Sequence, residues 1–217
     1  MSAPLRAVLF DWDGTLANSA EASYRCYVKI FGAFGIAFDR EAFARTYSPN
    51  WHFTYTALGL PREQWDEADR LWNRFYGEEP CTVVDGVAEA LERLHRAGFV
   101  QGVVTSGERH RVGREIADFG LSRFFPVLVC SEDVANRKPH PESLDLALSR
   151  LNLSAADAAY VGDSPEDVLM ARRAGALAVG IPGGFPNRQA LAASNPDLMA
   201  ESLHSAVEKL LERVPSR

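Results

Sequence analysis

Two aspartates one residue apart, Asp11 and Asp13, end the apolar run that starts at Ala7 and are followed at once by Gly14-Thr15. Carboxylates placed where a strand would otherwise pack are how a catalytic strand end looks. Three further polar groups stand nearby in kind. Thr105-Ser106 closes the run from Phe99, Asp163 follows Ala158–Gly162, and Lys138 precedes Pro139 in a loop. If Asp11, Asp13 and Asp163 meet, their mutual repulsion calls for a hard cation, and an all-oxygen donor set argues for Mg²⁺. Lys138 supplies the positive charge a dianionic phosphate needs, launched from the extended backbone that Pro139 favours. Thr105 adds a hydroxyl and Ser106 a backbone N–H. Carboxylate, metal, lysine and hydroxyl together describe phosphoryl transfer through an aspartyl-phosphate.

These residues need a scaffold that brings strand ends together. Short Val/Leu/Ala/Phe runs alternate with helical patterns, which predicts an α/β fold with a doubly wound, mostly parallel sheet. Five strands are expected: Leu5–Phe10, Phe99–Thr105, Phe125–Cys130, Ala158–Gly162 and Leu177–Ile181. Ligands bind beyond the carboxyl ends of such strands where strand order reverses. Asp11 and Asp163 become neighbours if strands two and three wind one way and strand four the other. From Ser19 to about Tyr76 the pattern is almost purely helical, with helices expected over Arg40–Thr46 and Pro61–Tyr76. Residues 18–83 are read as a helical domain inserted into a core made of 1–17 and 84–217. Further helices are predicted over Val87–Ala97, Glu108–Phe119, Pro141–Leu151, Pro165–Ala174 and Ser202–Val214, several stopped by a glycine.

With Phe10-Asp-Trp-Asp-Gly-Thr-Leu16, Val104-Thr-Ser106, Lys138-Pro139 and Gly162-Asp-Ser-Pro-Glu-Asp167 in that order, the chain resembles the haloacid dehalogenase superfamily phosphatases of subfamily I. The resemblance is to the phosphoglycolate-phosphatase-like branch with a helical cap, and it spans essentially the whole chain. It implies that Asp11 attacks phosphorus and that Asp13 protonates the leaving oxygen, then activates water. It further implies Mg²⁺ held by Asp11, the Asp13 backbone carbonyl and Asp163, with Thr105, Ser106 and Lys138 binding the phosphoryl group. The haloacid dehalogenases themselves lack the second aspartate, so Asp13 argues for phosphate esters. Relatives carry a specificity loop between two cap helices, which here makes Asn50, Trp51 and His52 substrate-specificity candidates. Tyr47–His52 does not closely fit the pattern of phosphoglycolate phosphatases or β-phosphoglucomutases, and Asn18 stands where many relatives have an acidic residue.

Other readings stay open beside this one. Asp-Gly is a common turn pair, and Thr105 suits any strand. Asp167 fits the first turn of a helix capped by Ser164, so it either caps that helix or supports the metal ligands from behind. Arg109, Arg111 and Arg137 read as surface charges. A phosphomutase of the β-phosphoglucomutase type would use the same site, and a non-enzymatic phospho-acceptor is the alternative from another class. The net charge of −6 without a basic stripe opposes nucleic acid or a membrane surface as partner. Three isolated cysteines suggest neither a disulfide framework nor a metal site, and no apolar stretch reaches the ~20 residues of a membrane span. The expectation is a cytoplasmic enzyme acting on a small phosphorylated metabolite, with monomer or homodimer left open.

Overall fold

The computed structural model describes residues 5–213. Its centre is strand β1 (Ala7–Phe10), buried along its whole length. Because side chains alternate across a strand, Val8 and Phe10 enter one core while Ala7 and Leu9 enter another on the opposite face. A strand covered on both sides has no polar face to show, which is why it reads as continuous apolar sequence.

On one side of β1 lie β2 (Val100–Val104) and β3 (Val127–Val129), and on the other β4 (Ala158–Gly162) and β5 (Leu177–Gly180). A sixth strand, β6 (Leu198–Met199), completes the order β3-β2-β1-β4-β5-β6, all parallel. The expected count of five is therefore corrected to six. Two residues are too few to show an alternation, and β6 is held by its pairing with Val179 and Gly180. Strand order does reverse at β1 and β4, where Phe10 pairs with Val161.

Helices α1 (Ala20–Ala33), α2 (Arg40–Thr46), α3 (Trp51–Ala57) and α4 (Trp65–Glu78) follow β1. They share an aromatic core built around Tyr27, Phe31, Phe43 and Tyr55. The helix expected from Pro61 divides into a short 3-10 turn, Arg62–Gln64, and α4. The connections into and out of this helical segment run side by side. Asn18 N–H donates to the Thr82 carbonyl at 2.8 Å and Val84 N–H to the Leu16 carbonyl at 2.9 Å. The sheet is then covered by α5 (Val87–Arg96), α6 (Arg109–Asp118), α7 (Glu142–Leu151), α8 (Pro165–Ala174), α9 (Arg188–Ala193) and α10 (Leu203–Leu211). Helix α9 has no counterpart among the sequence expectations, being only six residues long. The tail helix was expected to reach Val214, which lies outside the described residues. Among the described residues no helix is long and apolar enough to cross a membrane.

Candidate active site

The strand ends deliver the acids. Asp11 leaves β1 with its N–H bonded to the Val161 carbonyl at 2.9 Å, so it lies beside the end of β4, from which Asp163 follows. The β2–β3 ladder carries on into Thr105, whose N–H donates to the Val129 carbonyl at 2.9 Å. Lys138 comes from the loop before α7 and is buried. Its ammonium donates to Asp11 Oδ1 at 2.9 Å, Asp167 Oδ1 at 2.8 Å and the Tyr160 hydroxyl at 2.7 Å. All three of its protons are thereby used.

Oxygens of Asp11, Asp163 and Asp167 all lie within 4.8 Å of one another, and all three residues are buried. Three carboxylates against one ammonium leave the cluster short of positive charge. Burial pushes the Asp11 carboxyl up to about 7 despite the opposing pull of Lys138. Burial, with Asp167 and Asp11 nearby, drives Asp163 up as well. For Lys138, burial works against the charge, but Asp11 and Asp167 outweigh it and hold the lysine charged.

Asp163 Oδ2 is buried without a hydrogen-bond partner. A buried carboxylate oxygen left this way costs free energy unless a cation meets it. Gly14, at φ +80°, closes in on this carboxylate: a Cβ there would come within 2.8 Å of Asp163 Cγ and 2.9 Å of the Phe185 ring. The donor set is all oxygen, which suits Mg²⁺. The site thus fits the divalent ion that the fold family implies.

Asp167 is differently committed. Its Oδ2 accepts from Ser164 N–H at 3.1 Å and Ser164 Oγ at 2.6 Å, while Oδ1 takes Lys138. Together with Ser164 Oγ accepting from Asp167 N–H, this forms a capping box on α8. The capping role and the contact with Lys138 coexist, one on each oxygen.

Asp13 is not among the clustered acids. Its carboxylate accepts from Arg111 Nη1 at 3.2 Å and Nη2 at 2.5 Å, and from the Tyr76 hydroxyl at 3.2 Å. Burial would raise Asp13, but the charge and hydrogen bonds of Arg111 prevail and hold it below the ordinary carboxylate range. Arg111, read from sequence as a surface charge, is instead mostly buried on α6, its guanidinium 4.7 Å from the Tyr76 ring centre. Arg109 does lie at the surface, paired with Asp133. Arg137 is exposed at the cavity wall with its guanidinium 4.3 Å from the Trp51 ring centre.

A cavity of about 200 Å³ lies between the strand ends and the helical segment. Asp11, Asp13, Thr105, Ser106, Lys138 and Asp163 all line it. Thr105 Oγ1 accepts from the Gly107 N–H at 3.0 Å. Of the three specificity candidates only Trp51 reaches the cavity. Asn50 instead caps α3 through His52 N–H, and His52 stacks on Trp65 at 4.5 Å. The helical wall is fastened to the sheet by Tyr47 stacked on Phe185 at 4.4 Å, Ser48 to Glu166 at 3.3 Å and Asn73 to Glu108 at 2.8 Å. Sequence reasoning missed Arg111, Tyr76 and Tyr160. Tyr160 alone carried a local signal, a hydroxyl inside an otherwise apolar strand.

The profile of the family described as haloacid dehalogenase-like hydrolase matches residues 8–181. Pyrophosphatase PpaX of Bacillus velezensis is 33% identical over 201 residues, covering 91% of this chain and 92% of its own. Phosphoglycolate phosphatase of Salmonella paratyphi A is 30% identical over 233 residues, covering 95% and 92%. A haloacid dehalogenase-like family hydrolase from Streptococcus pneumoniae superposes with a TM-score of 0.83 at 20% identity, over 94% of this chain and 98% of that one. By the sheet order, the acids at its reversal point and the matched profile, the chain belongs to the haloacid dehalogenase-like hydrolase family.

Proposed function

We propose that this protein is a Mg²⁺-dependent phosphatase that hydrolyses a small phosphorylated metabolite through an aspartyl-phosphate on Asp11. The observation that carries the reading is Asp11 at the floor of the cavity, bonded to Lys138 at 2.9 Å and beside the unpartnered oxygen of Asp163. The names of the two relatives, a pyrophosphatase and a phosphoglycolate phosphatase, support phosphate chemistry on a small substrate. A volume of about 200 Å³ suits such a molecule, since pockets for drug-sized ligands begin at ~300 Å³.

In this reading the Asp11 carboxylate attacks phosphorus while Thr105, Ser106 and Lys138 hold the phosphoryl oxygens. Lys138 is then shared between Asp11 and the substrate. Asp13, ionised while Arg111 grips it, takes up a proton on leaving that fork, gives it to the leaving oxygen and afterwards takes one from the water that cleaves the acyl-phosphate. Mg²⁺, held by Asp11, the Asp13 carbonyl and Asp163, would neutralise charge on the phosphoryl oxygens. Residues 18–83 act as a cap over the core formed by 1–17 and 84–217, excluding bulk water when closed. Three cysteines free of disulfides suit the reducing cytoplasm, where we place the enzyme. The test is phosphate release with Mg²⁺ from a panel that includes pyrophosphate, phosphoglycolate and sugar phosphates. Release from one or more supports the proposal; release from none contradicts it.

A further inference from the structure

A buried circuit surrounds Asp13 that the chemistry above does not use. Trp12, the residue between the two aspartates, is fully buried, and its Nε1 donates to Glu115 Oε2 at 2.7 Å. Glu115, on α6, is only 4% exposed, a depth carboxylates rarely reach unpaired. Arg111 stands one helical turn earlier and donates Nη1 to the same Oε2 at 3.1 Å. The rest of its fork grips Asp13, and because Trp12 and Asp13 are consecutive the circuit closes on itself. Tyr76 of α4 covers a face of the guanidinium, which leaves the N–H donors pointing edgewise at their anions.

Resting on the reading of Asp13 as proton donor to the leaving oxygen, we propose that Arg111 selects substrates whose leaving group carries a second anion, a carboxylate or another phosphate. Asp13 must leave the fork to reach the leaving oxygen, and something negative must then replace it. With a neutral leaving group, Arg111 would stay buried at 16% side-chain exposure with Glu115 as its one acid partner. Losing a partner from a buried charge is costly, so neutral leaving groups are penalised. An anion on the leaving group takes the place of Asp13 in a like-for-like exchange. The exchange is intramolecular once the phosphoryl group is seated, which favours it further. Glu115, pinned by Trp12, keeps the guanidinium stationary while the partners change. Lysine would serve poorly here, since it offers a point charge and no planar fork.

The experiment measures kcat/KM of the full-length enzyme with Mg²⁺ for phosphoglycolate, pyrophosphate and ethyl phosphate. Ethyl phosphate keeps the two-carbon skeleton of phosphoglycolate but has no second anion. The wild type prefers phosphoglycolate, pyrophosphate or both to ethyl phosphate on the order of 100-fold. In Arg111→Met that ratio collapses toward unity, whatever the absolute rates, and Arg111→Lys restores part of it. Glu115→Gln, which keeps the guanidinium but removes the acid partner it retains when Asp13 leaves, widens the ratio, and it serves as the test if Arg111→Met does not fold. A wild-type enzyme that hydrolyses ethyl phosphate as well as the anionic pair overturns the inference and leaves the phosphatase reading standing. So does a ratio unmoved by the substitution. No phosphate from any ester or from pyrophosphate overturns both.

Discussion

Asp11 and Asp13 are separated by one residue and sit in opposite electrostatic settings. Asp11 belongs to a cluster with too many negative charges, whereas Asp13 is gripped by a guanidinium. In the proposed reading, substitution of Asp13 by alanine removes the proton carrier but no strand contact. It is expected to lower kcat by ~10²–10⁴-fold with an unchanged circular dichroism spectrum. Lys138 tests the cluster from the other side. Lys138→Met leaves Asp11 and Asp167 without their shared cation and should cost about 3–5 kcal/mol at neutral pH, read as a lower midpoint in thermal or urea unfolding. That loss should shrink as pH falls below about 7, where Asp11 takes up a proton. Asp11, Asp163 and Lys138 were legible in the sequence because each is marked by its immediate neighbours. Arg111 was not, because its partner Asp13 lies 98 positions away and only the fold brings them together.

The turn after β1 decides whether Asp163 can occupy its place. Gly14 combines a left-handed backbone with closeness to the Asp163 carboxylate, and the two demands fall on one residue. Gly14→Ala is expected to weaken Mg²⁺ binding and lower the thermal midpoint together, measured by metal titration and melting. Retention of both would mean the turn has room that its geometry denies. Most elements of this size class could be read from sequence. Helix α8 begins at Pro165 behind its Ser164 cap and ends at Gly175, each end marked by a residue suited to it. Strand β4 showed its full extent as an apolar run. Strand β6 and helix α9 stayed hidden, since two and six residues are too short to establish a period and tertiary contacts alone fix them.

At the scale of the whole molecule, the strand order puts β1 beside β4, and the helical segment closes the cavity above them. Which side of β1 each strand would take was only conditional in the sequence, because periodicity says nothing of neighbours. The same assembly sets a pH dependence. The folded chain holds a proton on Asp11 up to about 7, whereas an ordinary aspartate releases it near 3.8. Between these values the folded state binds more protons than the unfolded one, so stability falls as pH rises. In the proposed reading Mg²⁺ would bind the ionised acids and offset this fall. Melting midpoints with a chelator should therefore decline from about pH 4 to 7, and the decline should flatten with Mg²⁺. Equal slopes under both conditions would count against a cation at this cluster.

The claim on which the rest depends is that Asp11 bonds to phosphorus. Its most direct measurement is acid quenching of the working enzyme, followed by mass spectrometry of the peptide that contains Asp11. The account predicts one phosphoryl group on that residue during turnover, and neither phosphoryl group nor turnover in Asp11→Asn. A phosphoryl group on another side chain, or undiminished phosphate release by Asp11→Asn, would contradict it.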